Sequence, residues 1–290
     1  MTDSLITQLE AQATKHLVDV QGRRVCWRQF GQIGNGPPLV LLHGGHGSWL
    51  HWVRNIEALA ARFTVWVADL PGYGDSDELG EGRSGDMAQL VHATLASLDA
   101  LVGADTWIDL VGFSFGGLVA AQLAAQRQKI RHLVLLGPAG HGGLRRPRGE
   151  LKNWHRAKTP EAIAACMRHN LEMHMLFDPA QVDAVALQLH TEACQRTRFR
   201  SRPISMAGGL SAALDQCQMP VLLVWGEHDV TAEPAVVAQA LTQGHPQRQA
   251  RIVPGVGHWV QFERADEVNR FLLSDLGLRQ EEPDAPANPG

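Results

Sequence analysis

The sequence has few cysteines, and none of them is placed for a disulfide framework or a metal site. There is no C-x-x-C pair and no metal-ligand spacing among the four, which are Cys26, Cys166, Cys194 and Cys217. Scattered thiols of this kind are typical of a reducing compartment. We therefore expect free cysteines, no metal ligands among them, and a cytoplasmic location.

Long apolar runs and a strong excess of one charge are also missing. No apolar stretch approaches the roughly 18 residues that a membrane-spanning helix needs, and the N-terminus lacks the basic start and apolar core of a secretory signal. The formal net charge is −4, which offers no basic surface to nucleic acid or anionic lipid. We expect a small-molecule substrate as the partner, with neither nucleic acid nor membrane, and leave a homodimer open.

Short apolar segments alternate with helical patterns along most of the chain. The segments cover residues 38–43, 63–69, 107–111, 130–136, 220–225 and 250–253. Continuously apolar strands separated by helices predict an α/β fold with a mostly parallel central sheet flanked by helices. In such sheets the reactive groups gather at the edge where the strands end.

The alternation is interrupted between about residues 140 and 215. The composition there is helical, and no segment has the continuous apolar character of a buried strand. We interpret this stretch as a helical lid inserted into the core. The predicted organisation is a core built from residues 1–139 and 216–278, a lid from 140–215, and a flexible, Pro-rich and acidic tail from 279–290.

A glycine-bracketed serine directly follows one of the apolar segments. Gly112-Phe113-Ser114-Phe115-Gly116 matches G-x-S-x-G between a predicted strand and a predicted helix. A serine on so tight a turn is held in a strained conformation that exposes its hydroxyl, and the two glycines remove Cβ clashes. The motif predicts Ser114 as a nucleophile.

A hydroxyl nucleophile needs a general base, and the base needs a group that orients it. His258 lies in a loop after the last predicted strand, and we predict it as the base. Asp229 follows the preceding strand and is predicted to accept from the second ring nitrogen. Glu227, two residues earlier, is the rival carboxylate.

The glycine-rich loop after residues 38–42 predicts half of an oxyanion hole. The backbone amides of Gly45 and Phe115 are the expected donors to a developing oxyanion. His43 fits better as a hydrogen-bonding residue under this loop than as a proton carrier.

Five residues are predicted to contact the substrate. They are Trp259, Phe113, Gly44, His46 and Arg198. For several of them an alternative stays open, namely packing for Trp259, solvent for His46, and a solvated basic helix end for residues 196–202. Together with other tryptophans near the site, Trp259 suggests an apolar pocket. The acidic loop at Asp69, Asp75 and Asp77 is interpreted as a structural turn rather than a metal site.

These motifs together resemble the α/β-hydrolase superfamily, over roughly residues 15–138 and 218–277. The motifs are HGG at 43–45, DLPGYGDSD at 69–77, GFSFGG at 112–117, WGEHD at 225–229 and GHWVQFERAD at 257–266. The chain order Ser, Asp, His is also that of the superfamily. The resemblance implies the α/β-hydrolase fold, a serine-dependent mechanism and no metal or organic cofactor.

Different motifs of the chain resemble different subfamilies of this superfamily. The segment around His258 looks like the hydrolases that cleave carbon–carbon bonds after aromatic ring cleavage. That group usually has asparagine where this chain has Phe113, and a lid arginine where His190 is the nearest match. GFSFGG is closer to esterases, lactonases and perhydrolases.

We expect a serine hydrolase that acts by acyl transfer on a small to medium hydrophobic ester or lactone. Hydrolysis of a carbon–carbon bond in a vinylogous diketone is the alternative. A member of the fold that binds a ligand without turnover is an alternative of another class, and a complete triad argues against it.

Overall fold

The structure is a computed structural model that describes residues 2–34, 36–80 and 86–277, with side chains from Leu5 onward. The strands within these ranges are β1 (Thr14–Val20), β2 (Arg23–Phe30), β3 (Pro38–Leu42), β4 (Thr64–Asp69), β5 (Ile108–Phe113), β6 (Ile130–Leu136), β7 (Val221–Gly226) and β8 (Arg248–Val253). They form one sheet in the order β1-β2-β4-β3-β5-β6-β7-β8. The pairs β1·β2 and β2·β4 are antiparallel and all others are parallel, which confirms the predicted mostly parallel sheet.

Helices cover both faces of this sheet. They are α1 (Thr2–Gln12), α2 (Ile56–Ala60), α3 (Met87–Val102), α4 (Phe115–Ala124), α5 (Pro160–Asn170), α6 (Ala184–Gln195), α7 (Ser201–Ala207), α8 (Leu210–Leu214), α9 (Pro234–Thr242), α10 (Val260–Glu263) and α11 (Ala265–Gly277). Shorter 3-10 turns occupy Trp49–Trp52, Trp154–Arg156 and Pro179–Gln181, and a π-helical turn occupies Leu171–Met175. None of the helices in the described ranges is both long and apolar enough to cross a bilayer.

Alternation of side chains along the strands explains why the strands are apolar throughout. Leu39 and Leu41 of β3 pack into one apolar layer, while Val40 and Leu42 pack into the layer on the opposite face. All four are fully buried. Burying each such side chain stabilises the fold by roughly 1.5–3 kcal/mol. A polar residue at any of these positions on either face would therefore lower the stability of the fold.

The chain between β6 and β7 forms the helical insertion. Residues 137–220, all of them described, contain α5 to α8 and no strand. The proposed tail at 279–290 lies outside the described residues. The use of the insertion as a lid stays a prediction at this point.

Candidate active site

Four polar side chains come together at one edge of the sheet because each follows the end of a strand. His43 follows β3, Ser114 follows β5, Asp229 lies three residues after β7, and His258 lies five residues after β8. Because β3, β5, β7 and β8 are parallel, all four end at the same edge. This is the placement that the sequence predicts.

Ser114 occupies the strained turn between β5 and α4. Its φ of 53° and ψ of −117° lie in a region that side chains other than glycine rarely adopt. The neighbouring glycines make this turn possible, since a Cβ on Gly112 would stand 2.4 Å from the Gly116 oxygen. A Cβ on Gly116 would stand 2.2 Å from the His43 oxygen. The steric prediction for G-x-S-x-G is therefore met by the geometry.

His258 connects Ser114 to Asp229. Its Nε2 atom lies 2.9 Å from Ser114 Oγ, and its Nδ1 atom lies 2.8 Å from Asp229 Oδ2. Both His258 and Asp229 are buried, and Ser114 is half-buried. With Nδ1 donating to the carboxylate, Nε2 is free to accept the Ser114 hydroxyl proton.

Asp229 is kept ionised by the groups around it. Burial by itself raises the pKa of Asp229, but His258 and Thr231 outweigh that effect, and the net pKa lies below the ordinary value. The amide and hydroxyl of Thr231 donate to Asp229 Oδ1 over 2.7 and 2.8 Å. Thr231 was missed by sequence reasoning, because a threonine two residues after an aspartate is too common to mark a site. The rival Glu227 is exposed, and its carboxylate accepts a hydrogen bond from the Gly255 amide, so it stabilises the turn after β8.

The amides of Gly45 and Phe115 have the properties expected of oxyanion donors. Neither has a hydrogen-bond partner within the described residues. Phe115 begins α4, where the helix dipole favours negative charge. The Gly44 amide is different, since it donates to His51 Nδ1 over 3.2 Å.

His43 supports the glycine loop from below. Its Nδ1 atom donates to the Gly44 oxygen over 2.8 Å, and its Nε2 atom accepts from the Leu70 amide over 2.9 Å. An Nε2 that accepts from an amide carries no proton, so the ring is neutral. Burial lowers the pKa of His43 in agreement with that state. His43 is thus a hydrogen-bonding residue, as the sequence suggested.

Two aromatic residues expected at the substrate are instead part of the core. Phe113 and Trp259 have no exposed surface. The Trp259 ring stacks on Phe262 at 4.2 Å, and its Nε1 atom donates to the His51 oxygen. Phe113 packs beside His258 with ring centroids 5.0 Å apart. The predicted contacts with substrate are wrong for both, because apolar packing already covers the rings completely.

Gly44 and His46 differ in what they can offer a substrate. Gly44 is buried, and a Cβ at that position would lie 3.0 Å from Ser114 Cβ. The absence of a side chain lets the backbone approach Ser114 closely, and the predicted contact of Gly44 with substrate stays a prediction. His46 is exposed and has a φ of 54°, which leaves the prediction of a substrate contact standing.

Arg198 is not available to a substrate. Its two terminal nitrogens donate to the carbonyl oxygens of Gly74, Ser76 and Arg196, and its Nε atom pairs with Glu78 at 3.3 Å. The predicted binding role is therefore wrong, since these contacts consume the guanidinium donors. Arg198 joins the insertion to the loop after β4.

A buried ion-pair network strengthens the same junction. Arg28 is 1% exposed and pairs with Asp69 at 3.0 Å and Asp75 at 2.6 Å. Arg196 of the insertion also bonds to Asp75. Although burial opposes it, Lys15, Arg196 and Arg28 hold the pKa of Asp75 well below its usual range. The oxygens of Asp69 and Asp75 are thus neutralised by arginine, as a structural turn requires.

Two insertion histidines near His258 were not predicted as site residues. His174 lies on the π-helical turn, with its ring centroid 5.7 Å from that of His258. Such turns are frequent at functional sites. His190 lies on α6, with Cys194 Sγ 3.7 Å from its Nε2 atom. His174 carries no local sequence signal, because tertiary folding alone brings it beside His258. His190 was noted in the sequence only as the nearest match to a lid arginine.

These histidines should make the protein less stable in mild acid. Burial lowers the pKa of His190 to about 4 and that of His174 to about 3, and repulsion from neighbouring imidazoles adds to the effect. Unfolded histidine has a pKa of about 6.5. Between these pKa values the histidines are protonated in the unfolded chain but not in the folded chain. The free energy of unfolding is therefore highest above pH 6.5 and declines as the pH falls towards 4.

For His190 we expect a loss on the order of 2 kcal/mol in the free energy of unfolding at pH 5 relative to pH 7.5. Urea unfolding at pH 7.5, 6 and 5 measures it, and His190→Gln should flatten the dependence. The exposed His92→Gln is the control and should leave the dependence unchanged. An undiminished slope in the His190 variant would contradict the prediction.

Comparisons with known proteins agree with this architecture. The model of the "Alpha/beta hydrolase family" matches residues 39–271. The chain is 32% identical over 272 residues to the dihydrolipoyllysine-residue acetyltransferase component of the acetoin cleaving system of Pseudomonas putida, covering 89% of this chain and 68% of that one. It is 27% identical over 298 residues to a 2-hydroxy-6-oxononadienedioate/2-hydroxy-6-oxononatrienedioate hydrolase of Paraburkholderia phymatum, covering 96% of this chain and 100% of that one.

A solved structure shares the fold. The crystal structure of an esterase from Rhodococcus sp. ECU1013 superimposes with a TM-score of 0.75 at 23% identity, covering 92% of this chain and 99% of that chain. The family model covers most of the chain, from β3 to within α11. The chain therefore belongs to the alpha/beta hydrolase family and is a hydrolase.

Proposed function

We propose that the protein is a serine hydrolase that acts by nucleophilic acyl transfer on a small to medium ester or lactone. The observation that carries this proposal is the continuous chain from Ser114 Oγ through His258 to Asp229, with contacts of 2.9 and 2.8 Å. Contacts of that length permit proton transfer without rearrangement.

In the proposed reaction His258 Nε2 takes the proton of Ser114 as Oγ bonds to the substrate carbonyl carbon. The carbonyl oxygen becomes an oxyanion and is bound by the amides of Gly45 and Phe115. His258 then gives its proton to the leaving oxygen, and the carbon–oxygen bond breaks. Water, deprotonated by His258, attacks the acyl carbon and releases both the acid and Ser114. The helical insertion is proposed to act as a lid over this site.

The tryptophans do not supply the apolar pocket that we expected. Trp52 and Trp259 have no exposed surface, and Trp49 is 3% exposed. Beside the proposed base lies His174, with its ring centroid 5.7 Å from that of His258, and the charges of His190 and His46 lower its pKa further. We therefore keep the ester or lactone class in the proposal without requiring an apolar substrate.

Cleavage of a carbon–carbon bond is the second candidate. It is favoured by the relative from Paraburkholderia phymatum, whose name specifies a hydrolase of oxo-dienoic diacids. Phe113 and His190 stand where the sequence comparison with that group expects asparagine and arginine. Short aryl esters assayed beside a 2-hydroxy-6-oxo-dienoate separate the two candidates by which substrate is turned over.

Covalent labelling tests the proposal against a ligand-binding role without turnover. A fluorophosphonate should label the native protein once, at Ser114, and peptide mass spectrometry should locate the adduct. His258→Ala should slow labelling severely, because the serine loses its base. A native protein that stays unlabelled would refute the nucleophile.

A further inference from the structure

The start of α7 lies directly on the oxyanion loop. Ser201 Oγ is so close to Gly45 that a Cβ placed there would stand 2.5 Å from it. The next residue of α7 is Arg202, and the next residue of the loop is His46. Both are exposed. Contact of the Ser201 side chain with the glycine loop thus brings Arg202 and His46 close together beside Ser114, and this side of Ser114 is called the entrance.

A second arginine reaches the same place from the start of the insertion. Arg145 is half-buried, and its Nη2 atom donates to the Ser205 oxygen of α7 over 2.9 Å. In the described part of the chain neither Arg145 nor Arg202 forms an ion pair, whereas Arg28, Arg196 and Arg198 all do. The chain carries more acidic than basic side chains. Carboxylates are therefore numerous enough to pair with every arginine, yet Arg145 and Arg202 have none within the described residues.

The contacts of α7 with Gly45 and with Arg145 bring these groups close enough for their charges to affect one another. Although part of its surface is exposed, His46 has a lowered pKa, first because neighbouring groups displace water from its ring and then because of the charges of Arg202 and His155. Burial also lowers the pKa of Arg145, with a further contribution from Arg202. The carboxylate that acts on Arg145 is that of Asp229, which is buried and bonded to His258 and Thr231. Among the residues that the structure describes, the positive charge of Arg145 and Arg202 therefore has no free counter-ion.

We propose that the substrate attacked by Ser114 carries a carboxylate, bound by Arg202, Arg145 and His46 at the entrance to the site. This inference rests on the proposed function and specifies its substrate class. A guanidinium group offers paired N–H donors that match a carboxylate, and a neutral imidazole can donate one more. The carboxylate would replace water around the two arginines and hold the ester next to Gly45.

Two pairs of esters with equal shape and different charge test this binding site. In the first pair the charge is on the acyl side, with mono-4-nitrophenyl succinate against 4-nitrophenyl 4-methylpentanoate. In the second it is on the leaving group, with 4-acetoxybenzoate against 4-isopropylphenyl acetate. We expect kcat/KM to favour the charged member of at least one pair about tenfold, the value of one charge-assisted hydrogen bond.

The variant Arg145→Gln/Arg202→Gln should bring the ratio of charged to uncharged ester close to one. Arg62→Gln is the matched control and should leave the ratio as it is, because Arg62 is exposed and precedes β4 at the opposite edge of the sheet. No preference for the charged ester in either pair, or a preference that survives the double substitution, would overturn the inference and leave the serine hydrolase intact. If neither pair is hydrolysed and Ser114 is not labelled, the proposed function fails as well.

Discussion

Replacing Ser114 with alanine should abolish turnover, with a fall in kcat of about 10⁴- to 10⁶-fold, while the fold persists. In the proposed reaction the hydroxyl oxygen of Ser114 bonds to the substrate, and no other side chain of the described residues forms a hydrogen bond with His258 Nε2. Steady-state kinetics on whichever ester the wild type hydrolyses measures the loss. Circular dichroism and the unfolding temperature should stay close to wild type, because alanine tolerates the same backbone conformation no worse than serine.

Ser211→Ala provides the control for Ser114→Ala. Ser211 is an exposed serine of α8, outside the proposed reaction, and its loss should leave kcat unchanged. The opposite result, appreciable turnover by Ser114→Ala with a uniquely folded protein, would mean that another group attacks the substrate. The fluorophosphonate adduct would then be expected on a different residue.

Replacing Gly116 with alanine should cost more than about 4 kcal/mol in the free energy of unfolding, a loss comparable to the whole stability of many domains. The added Cβ would stand 2.2 Å from the His43 oxygen and 2.6 Å from the Leu42 oxygen. Both oxygens belong to backbone at the end of β3, which is held by β4 and β5 on either side. No side-chain rotation can relieve the contact, so the chain must move the strand or the helix.

Chemical denaturation of Gly116→Ala and of Gly277→Ala measures this difference. A Cβ on Gly277, at the end of α11, has no atom of the described residues within 4 Å, and alanine there should be neutral or stabilise the helix by up to about 1 kcal/mol. Loss of less than about 1 kcal/mol in Gly116→Ala would show that the turn after Ser114 is softer than its contacts indicate. A soluble yield too low for denaturation is itself the expected severe result.

The fold and the central part of the site could be read from the sequence because both depend on local patterns. Continuously apolar strands fixed the type of sheet, and the rule that reactive groups follow strand ends located Ser114, Asp229 and His258 without any three-dimensional information. The glycines around Ser114 were informative because their absence of a side chain is itself the steric requirement.

The surroundings of the site could not be read in the same way. Phe113 and Trp259 are adjacent in sequence to Ser114 and His258, the proposed nucleophile and base, but such a side chain can point into the core, and both do. His174 and Thr231 have the opposite property, since tertiary packing brings them to His258 and Asp229 from positions with no motif. The prediction for Arg198 failed because its charge alone does not show which carbonyl oxygens accept hydrogen bonds from its guanidinium group.

The carboxylate of Glu263 joins the insertion to the loop that carries His258, the proposed general base. Glu263 is 4% exposed and accepts from the amides of Gly257, Phe177 and Asp178 over 2.7 to 2.8 Å. The Trp259 amide also donates to the Met175 oxygen over 2.7 Å. The insertion is consequently not an interchangeable module. A chimera with the insertion of another relative would put at risk two of the three amide donors of a buried acid, those of Phe177 and Asp178, and would misalign the proposed base. Transfer of residues 175–178 together with the loop at 257–263 would avoid both effects.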